Sequence, residues 1–224
     1  ELQHIWSTPK HTLVGGARVQ SGEVDTSSTL QYRGDPLSGF FYQTDLGPKG
    51  EITGIVRQQA DSNLNRQSVY GYWQWSVVDS LSLVAGASFD DISFPANAVA
   101  PPITGAERSS DRFSPKAGLT WRPHSSSRFR AAYSQSLGGL FYDNSVRLEP
   151  VQIAGFNQAY RSLAPESVAG LIPGTRFETL DVGSENRMPS RTYLGWQAEK
   201  LRSRAWNSIG VFSGTGALFS LIPT

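Results

Sequence analysis

Apolar and small or polar residues alternate one by one along much of the chain. From residue 81 to residue 90, Leu, Ala and Phe occupy the odd positions, whereas Ser, Gly or Asp occupies all but one of the even positions. Successive side chains of a β-strand point to opposite faces, so this pattern predicts a strand with one apolar face. Residues 68–77 alternate in the same way, and the short reversal at 78–80 predicts a β-hairpin.

Further segments show the same alternation and bring the number of predicted strands to seven. They are 12–20, 113–122, 128–134, 179–183 and 193–199. We expect strands of about ten residues, which is the length that a tilted strand needs to cross a membrane.

The predicted connections fall into two classes. The short turns are 7–10, 78–80, 123–127 and 187–190. The long polar connections are 23–66, 92–111 and 137–176. Bacterial outer-membrane barrels have short periplasmic turns and long outer loops, and a closed barrel leaves no unpaired strand edge in lipid. The chain is therefore predicted to be all-β, an antiparallel transmembrane β-barrel or part of one. The alternative, a soluble β-sheet with the aromatic rings in its core, leaves the loop lengths unexplained.

Aromatic residues are placed as a membrane-spanning strand requires. Phe113 and Trp121 lie eight positions apart on the predicted outward face. That separation spans roughly 20 Å along the membrane normal, close to the apolar band of about 25 Å. We expect Phe89 at the outer girdle, and Trp75 and Phe129 beside Trp121 at the periplasmic one. The predicted girdle residues are Trp75, Phe89, Phe113, Trp121, Phe129 and Trp196.

Composition narrows the choice of function. The 224 residues include 20 Lys and Arg and 19 Asp and Glu, so the net charge is +1. A charge this small gives no general electrostatic attraction for nucleic acid. The chain has no Cys, which excludes a disulfide scaffold and a thiolate metal site. We expect residues 1–224 to form a single outer-membrane barrel region, a piece of a larger barrel with no plug domain, because neither end resembles a natural barrel end.

Two hairpins carry a resemblance to a known family. Residues 66–90, RQSVYGYWQWSVVDSLSLVAGASFD, resemble a hairpin of TonB-dependent receptor barrels, in which a Tyr-x-Gln strand precedes a Leu-x-Leu-x-x-Gly strand. Residues 113–136 resemble a second such hairpin. Residues 148–158, LEPVQIAGFNQ, are more similar to outer-membrane barrels attached to tetratricopeptide repeats. The resemblance covers roughly residues 10–200.

The resemblance implies the outer membrane of a Gram-negative bacterium and uptake of a scarce ligand such as an iron chelate, cobalamin or a glycan. It implies contact with outer-membrane lipid, and with an energy-coupling periplasmic partner or a missing plug or repeat domain, and no cofactor. One alternative is a structural or export barrel attached to a tetratricopeptide-repeat domain. The other is a soluble β-domain that binds a partner.

Charged residues on the predicted inward face form a basic group. They are Lys116, Arg122, Arg128 and Arg130. One interpretation is a lumen that prefers anionic solutes. The alternative is that these cations pair with inward carboxylates such as Asp181 or Glu199, or with a missing plug.

The longest connection supplies the candidate ligand-binding residues, because loops on a rigid scaffold carry function. They are Phe141, Tyr142, Asn144, Phe156, Asn157, Gln158 and Tyr160. Aromatic rings beside amides suit a sugar or a chelate, and they suit equally a loop that packs on itself or folds into the lumen. Arg147 and Glu149 are expected to form an exposed pair of little energetic value.

The sequence predicts no enzyme. His4, His11 and His124 lie at or beside short turns, without a third partner at the spacing of a metal site or a catalytic triad. Asp90 and Asp91 lie where a strand meets a long connection. A calcium site is one interpretation, but we expect them to face solvent at the rim.

Overall fold

The computed structural model describes residues 1–32, 54–98, 102–138, 147–159, 173–206, 211–215 and 218–222. Within those ranges the ordered structure consists of strands: β1 (Leu2–Ser7), β2 (His11–Tyr32), β3 (Gly54–Val78), β4 (Leu81–Asn97), β5 (Thr104–His124), β6 (Ser127–Leu137), β7 (Gln152–Ile153), β8 (Phe156–Asn157), β9 (Arg176–Arg187), β10 (Tyr193–Arg204), β11 (Val211–Thr215) and β12 (Leu218–Ile222). The described residues include no helix that is long and apolar enough to span a membrane.

Eight of these strands form one sheet, in the order β1-β2-β3-β4-β5-β6-β9-β10. Neighbours in the sheet follow one another along the chain, except that the hairpin β7–β8 lies between β6 and β9 in the sequence. The pairing is antiparallel: Lys116 of β5 pairs with Ser134 of β6, and Arg130 of β6 pairs with Gly183 of β9. The predicted antiparallel β-structure is therefore confirmed.

The chain divides into two compact units. The first comprises residues 1–20, 65–92 and 109–206, and the second comprises 21–64, 93–108 and 207–224. In the second unit, the carboxylate of Glu107 accepts hydrogen bonds from the backbone N–H of Asn63, at 3.0 Å, and from Ser93 Oγ, at 3.2 Å. All the contacts of the candidate site lie in the first unit.

The strands are longer than the sequence pattern predicts. Residues 23–66 and 92–111 were predicted to be connections, but β2 continues to Tyr32, β3 begins at Gly54, β4 continues to Asn97 and β5 begins at Thr104. That prediction was wrong because backbone hydrogen bonds maintain each strand beyond the end of its outward apolar alternation. On β4, for example, the apolar residues beyond Phe89 are Ile92 and Phe94, which are buried on the opposite face. The third connection was bounded correctly, since β6 ends at Leu137 and β9 begins at Arg176.

In the first unit, polar and apolar side chains are distributed between the two faces of the sheet in the opposite way to a water-soluble protein. One face, called here the inner face, buries polar side chains: Ser68, Ser88, Asp90, Ser114, Lys116, Ser134, Ser136, Thr179 and Asp181. The opposite, outer face exposes large apolar side chains: Val69, Trp73, Phe89, Phe113, Leu119, Trp121, Phe129, Leu180, Val182, Leu194 and Trp196. On β5, Phe113 is 65% exposed while Lys116 is 3% exposed.

Candidate functional site

Residues 147–159, called here the strap, lie against the inner face of the sheet. Two apolar side chains of the strap, Ile153 and Phe156, are buried in a cluster with Tyr70, Tyr72 and Ala132 of the wall. The hydroxyl of Ser136, at the far end of β6, donates to the carbonyl oxygen of the last strap residue, Ala159. The strap therefore covers the middle of a polar face that water would otherwise contact.

The centre of the strap is the two-residue hairpin loop between β7 and β8. Ala154 and Gly155 both have positive φ, 50° and 84°, as a type I′ turn requires. Arg130 holds this loop from the wall, because its Nη1 donates to the Gly155 carbonyl oxygen at 3.0 Å. The same guanidinium lies 4.7 Å from the ring centroid of Phe156, a cation–π contact.

Two glycines of the wall make room for the hairpin. A Cβ atom added at Gly118 of β5 would lie 2.6 Å from Cγ2 of Ile153, and one added at Gly183 of β9 would lie 3.3 Å from Cζ of Phe156. A side chain at Gly118 would push the strap away from the wall, whereas one at Gly183 would also meet the Trp196 carbonyl oxygen, 3.0 Å away. Glycine in a strand interior often marks such a close approach.

A buried ion pair fixes the first part of the strap. The Glu149 carboxylate accepts hydrogen bonds from Lys116 Nζ at 2.6 Å and from the Tyr72 hydroxyl at 2.5 Å, both at Oε1. Its other oxygen, Oε2, accepts from Arg147 Nε at 3.0 Å. Burial alone would raise the pKa of Glu149, but Arg147 and Lys116 outweigh that effect and lower the pKa to about 2. Glu149 is therefore ionised.

The same hydrogen-bonded chain continues across the wall. Lys116 Nζ also donates to Ser88 Oγ at 3.1 Å, and Ser88 Oγ donates to Asp90 Oδ2 at 3.4 Å. Asp90 in turn forms an ion pair with Arg66, at 2.7 Å. Charges of opposite sign thus alternate from the strap to β3. Asp90 was expected to face solvent at the rim, and that expectation was wrong, because the side chain is buried beside Arg66.

The strap also contacts the N-terminal segment and itself. Gln3 Nε2 donates to the carbonyl oxygen of Leu148 at 2.5 Å, and the backbone N–H of Glu149 donates to Glu1 Oε1 at 3.2 Å. Gln158 Nε2 donates to the Pro150 carbonyl oxygen at 2.6 Å. Each of these bonds uses a backbone group of the strap, so the position of the strap does not depend on one side chain.

The predicted basic residues do not form one group. Lys116 forms the ion pair with Glu149. Arg128 and Arg130 both pair with the carboxylate of Glu185 on β9, with nitrogen–oxygen distances of 3.5 Å and 2.8 Å. Arg122 is exposed. Pairing with inward carboxylates was one of the two alternatives, but the carboxylates are Glu149 and Glu185, not the suggested Asp181 or Glu199. An anion preference of the lumen stays a prediction.

The candidate ligand-binding residues have different positions. Phe141, Tyr142, Asn144 and Tyr160 lie outside the described residues. Phe156 and Gln158 are buried in the strap, and Asn157 is exposed, with its Oδ1 accepting from Gln152 Nε2 at 2.9 Å. A connection that folds onto the inner face was one of the alternatives, and residues 147–159 adopt it. Ligand binding by these residues stays a prediction.

The prediction for Arg147 and Glu149 was wrong. They form a buried ion pair, with both side chains 2% exposed. Reasoning from the sequence missed it because a surface pair and a buried pair have the same spacing, and the partners that bury this one, Lys116 and Tyr72, are distant in the sequence. The sequence does mark the segment, because residues 148–158 depart from the resemblance to the receptors.

The predicted girdle residues other than Trp75 are exposed, and their positions on their strands place them on the outer face. Trp121 and Phe129, which are register partners, have ring centroids 5.7 Å apart. Phe129 and Trp196 both pair with Ser184 of β9, so an aromatic row crosses β5 to β10. Contact of these rings with lipid stays a prediction.

A second aromatic group was missed. Trp73 and Trp75, on β3, are stacked with ring centroids 5.6 Å apart. His11 stacks on Trp73 at 5.8 Å and accepts a hydrogen bond from its Nε1 at 3.1 Å. The three rings thus form one cluster close to the turn between β1 and β2. Across the described ranges, no group of three His, Asp or Glu residues could hold a metal ion.

Comparison with known proteins matched a family model and found similar solved structures. The family model described as "TonB dependent receptor-like, beta-barrel" matches residues 3–170. The siderophore receptor PiuA from Acinetobacter baumannii is 15% identical, with 87% of this chain and 29% of that chain covered, at a TM-score of 0.47. The ferric-catecholate import receptor Fiu from K12 E. coli is 12% identical, with 98% of this chain and 32% of that chain covered, at a TM-score of 0.47. The chain thus spans about a third of either receptor. No curated protein matches it.

Proposed function

The chain belongs to the TonB-dependent receptor-like β-barrel family. We therefore propose that it forms part of the barrel wall of an outer-membrane receptor that takes up a small, scarce ligand. Iron chelates, cobalamin and glycans are the ligand classes we consider. The proposal places the protein in the outer membrane of a Gram-negative bacterium, in contact with lipid and with an energy-coupling periplasmic partner. The family is one of receptors rather than of enzymes.

The inversion of the two faces is the observation that carries this proposal. In water, each large apolar side chain that stays exposed loses the stabilisation of about 1.5–3 kcal/mol that its burial would give. The outer face carries many such side chains, including Phe113 on β5 and Trp196 on β10. Lipid removes that cost, and the charged chain from Arg66 to Glu149 then faces the inside. A soluble β-domain would have the opposite arrangement.

The inner face supports a role in handling a polar solute. A solute on this side of the wall would meet the strap, Asn157 and the half-exposed pair of Arg128 with Glu185. The candidate residues of the long connection, among them Phe141 and Tyr142, are proposed to contact the ligand.

Membrane partition and uptake test the proposal in sequence. The full-length protein should fractionate with outer membranes, fold in detergent and migrate faster on a gel before boiling than after it. A strain that lacks the gene should then lose uptake of at least one radiolabelled iron chelate, cobalamin or glycan under starvation for that nutrient. Folding in plain buffer without detergent would overturn the membrane assignment.

A second candidate is a structural or export barrel attached to a tetratricopeptide-repeat domain. It is favoured by one observation: residues 148–158, which resemble that group, are the ones that cover the inner face. Membrane insertion combined with normal uptake of all three ligand classes in the deletion strain would select this candidate over the receptor.

A further inference from the structure

Cations collect at one end of the outer face. On β10, the outer-face positions beyond Trp196 carry one small residue and then three cations, which are Lys200, Arg202 and Arg204. Arg176, the first residue of β9, is the register partner of Arg204. All four of these cationic side chains are exposed. The outer face of β9 and β10 is therefore apolar towards one end and basic at the other.

A fifth cation joins this group from β5. Arg112 Nη2 donates to Gln135 Oε1 at 2.7 Å, and Gln135 of β6 is the register partner of Glu178 on β9. The charge of Arg112 interacts with those of Arg176, Glu178 and Arg204. The five cations, called here the basic patch, are Arg112, Arg176, Lys200, Arg202 and Arg204.

Carboxylates do not balance the basic patch. On the outer face of β6, β9 and β10, Glu178 is the single carboxylate. Among the described residues, no carboxylate oxygen lies within ion-pairing distance of Arg176, Arg202 or Arg204. The patch therefore carries an excess of positive charge that an external anion can meet.

The basic patch lies at the end of the sheet that carries the long connection. β9 begins at Arg176 after that connection, whereas the short turn that joins β9 to β10 is at the opposite end. Arg204 is eight positions from Trp196, which is roughly 20 Å along the membrane normal, near the far boundary of an apolar band of about 25 Å. Long loops of outer-membrane barrels face the exterior, so the patch lies at the level of the outer leaflet. The outer-face positions at the other end of the same two strands carry no charge: Ser184, Asn186, Leu194 and Trp196.

Cations at this position need an anionic headgroup. Arginine and lysine on the lipid face of a barrel are destabilising towards the middle of the bilayer, and their cost falls near the interface. Guanidinium groups bind phosphate oxygens through two parallel hydrogen bonds, so a patch with four arginines suits phosphate in particular. The outer leaflet of a Gram-negative outer membrane contains lipopolysaccharide, and its lipid A anchor carries phosphate groups next to the acyl chains.

We propose that the basic patch binds the phosphate groups of lipid A from the lipid side of the wall. This inference rests on the membrane assignment made under the proposed function. Next to Glu178 on the same face of β9, Leu180 and Val182 are 51% and 39% exposed. These two residues offer the acyl chains an apolar surface directly below the phosphate groups. One lipid molecule thus meets both halves of the outer face.

Native mass spectrometry of the full-length protein tests the proposal. The protein is refolded into detergent, so that it carries no lipid from the cell, and is titrated with lipid A that has two phosphates. Dephosphorylated lipid A and phosphatidylglycerol are the comparison lipids. We expect the two-phosphate form to bind at least about tenfold more tightly than either, the factor that one charge-assisted hydrogen bond represents. Equal binding of either comparison lipid, or a protein dimer without bound lipid, would overturn the proposal.

Variants of two exposed arginines assign the binding to the patch. Arg176→Gln and Arg204→Gln are each expected to weaken the binding of two-phosphate lipid A by about tenfold. Arg176→Lys should weaken it less, because it keeps the charge but loses the paired donors. Arg191→Gln, in the exposed turn at the opposite end, is the matched control and should bind like the parent protein. Faster migration before boiling shows that each variant is folded. Unchanged affinity in the Arg176→Gln, Arg204→Gln double variant, or an equal loss in Arg191→Gln, would overturn the proposal.

Failure of this inference and failure of the proposed function give different results. Folding in plain buffer, or normal uptake of every ligand class in the deletion strain, would refute the receptor proposal. A protein that folds in detergent and mediates uptake, but binds all three lipids equally, would refute only the lipid A site.

Discussion

Lys116 on β5 and Glu149 on the strap are 33 positions apart in the sequence and form a buried ion pair, with 2.6 Å between Nζ and Oε1. Around this pair, Tyr72, Arg147 and Ser88 supply the remaining hydrogen bonds. Because the pair joins a wall strand to a segment that lies on the wall, it is one of the contacts that hold the strap in place, together with those of Arg130, Ser136 and Gln3.

Breaking this pair should cost much more than breaking a pair at the surface. Glu149→Gln should destabilise the fold by about 3–5 kcal/mol, since it removes the buried carboxylate that Lys116 and Arg147 share. Lys116→Met should cost less than Glu149→Gln, because Glu149 keeps its ion pair with Arg147. The double variant should cost less than the sum of the two. Arg128→Met is the matched control, because its pair with Glu185 is about half exposed and should contribute about 0–1 kcal/mol. Urea unfolding in detergent micelles gives the free energies of unfolding, and equal costs for Lys116→Met and Arg128→Met would contradict the expectation.

Acid should release the strap. The pKa of Glu149 is lowered from 4.5 to about 2 in the seated strap, where the carboxylate faces Lys116, Tyr72 and Arg147 and lies near Glu1. Protons therefore bind more tightly when the strap is free. The contribution of Glu149 to stability should be complete above about pH 4.5 and fall as the pH drops towards 2. Melting temperatures of the parent protein and of Glu149→Gln, measured across this range, should converge at low pH. A difference in melting temperature that stays the same across this pH range would contradict the prediction.

Steric displacement of the strap is predicted for Gly118→Ala. The new Cβ would lie 2.6 Å from Cγ2 of Ile153 and 3.0 Å from Cβ of Ala154, so the hairpin must shift. Gly71→Ala, a substitution of the same kind in the same sheet, meets nothing within 4 Å. The expected cost for Gly118→Ala is about 1–3 kcal/mol, as for overpacked sites. Ala159→Cys gives the strap a single thiol at a buried position, because the natural chain contains no Cys. In that background, faster maleimide labelling of the introduced thiol with Gly118→Ala, but not with Gly71→Ala, would show that the strap has moved.

The turn of the strap should be improved by Ala154→Asn. Ala154 has a φ of 50°, a conformation that an L-residue other than Asn, Asp or Gly adopts at a cost of about 1–2 kcal/mol. Asn at the first position of a type I′ turn followed by Gly155 is the favoured combination. We expect a gain of about 0.5–1 kcal/mol. Gly155→Ala should act in the opposite direction, because its φ is 84° and the added Cβ would lie against Arg130. Thermal unfolding in detergent compares the two.

Ion selectivity tests the predicted preference of the lumen for anions. Arg130 lies on the inner face and its guanidinium is 2.8 Å from Glu185. Arg130→Glu would place two carboxylates together and should shift the reversal potential of the reconstituted protein towards cation preference. Arg191→Glu, in the exposed turn between β9 and β10, is the control and should have no effect. An unchanged reversal potential in the Arg130 variant would end the selectivity hypothesis.

Alternation along the sequence determined much of the fold. The position of each apolar-faced strand, the face that each side chain takes and the order of the hairpins all depend on a period of two residues, which is a local property of an extended chain. Phe113 and Trp121 could therefore be assigned to the outer face, and Lys116 to the inner one, from the sequence alone. The family resemblance of residues 66–90 and 113–136 rested on motifs within these strands, such as Tyr-x-Gln and Leu-x-Leu-x-x-Gly, and on their order.

Tertiary structure alone decided the features that depend on distant contacts. The extent of β2 to β5 beyond the apolar pattern is set by pairing between neighbouring strands, not by side-chain type. The position of the strap depends on Lys116, Tyr72 and Gly118, whose distance from Glu149 and Ile153 no local period reveals. The same reason explains why Arg147 and Glu149 were misjudged: burial is a property of what covers a residue, and the sequence specifies it only through the complete fold.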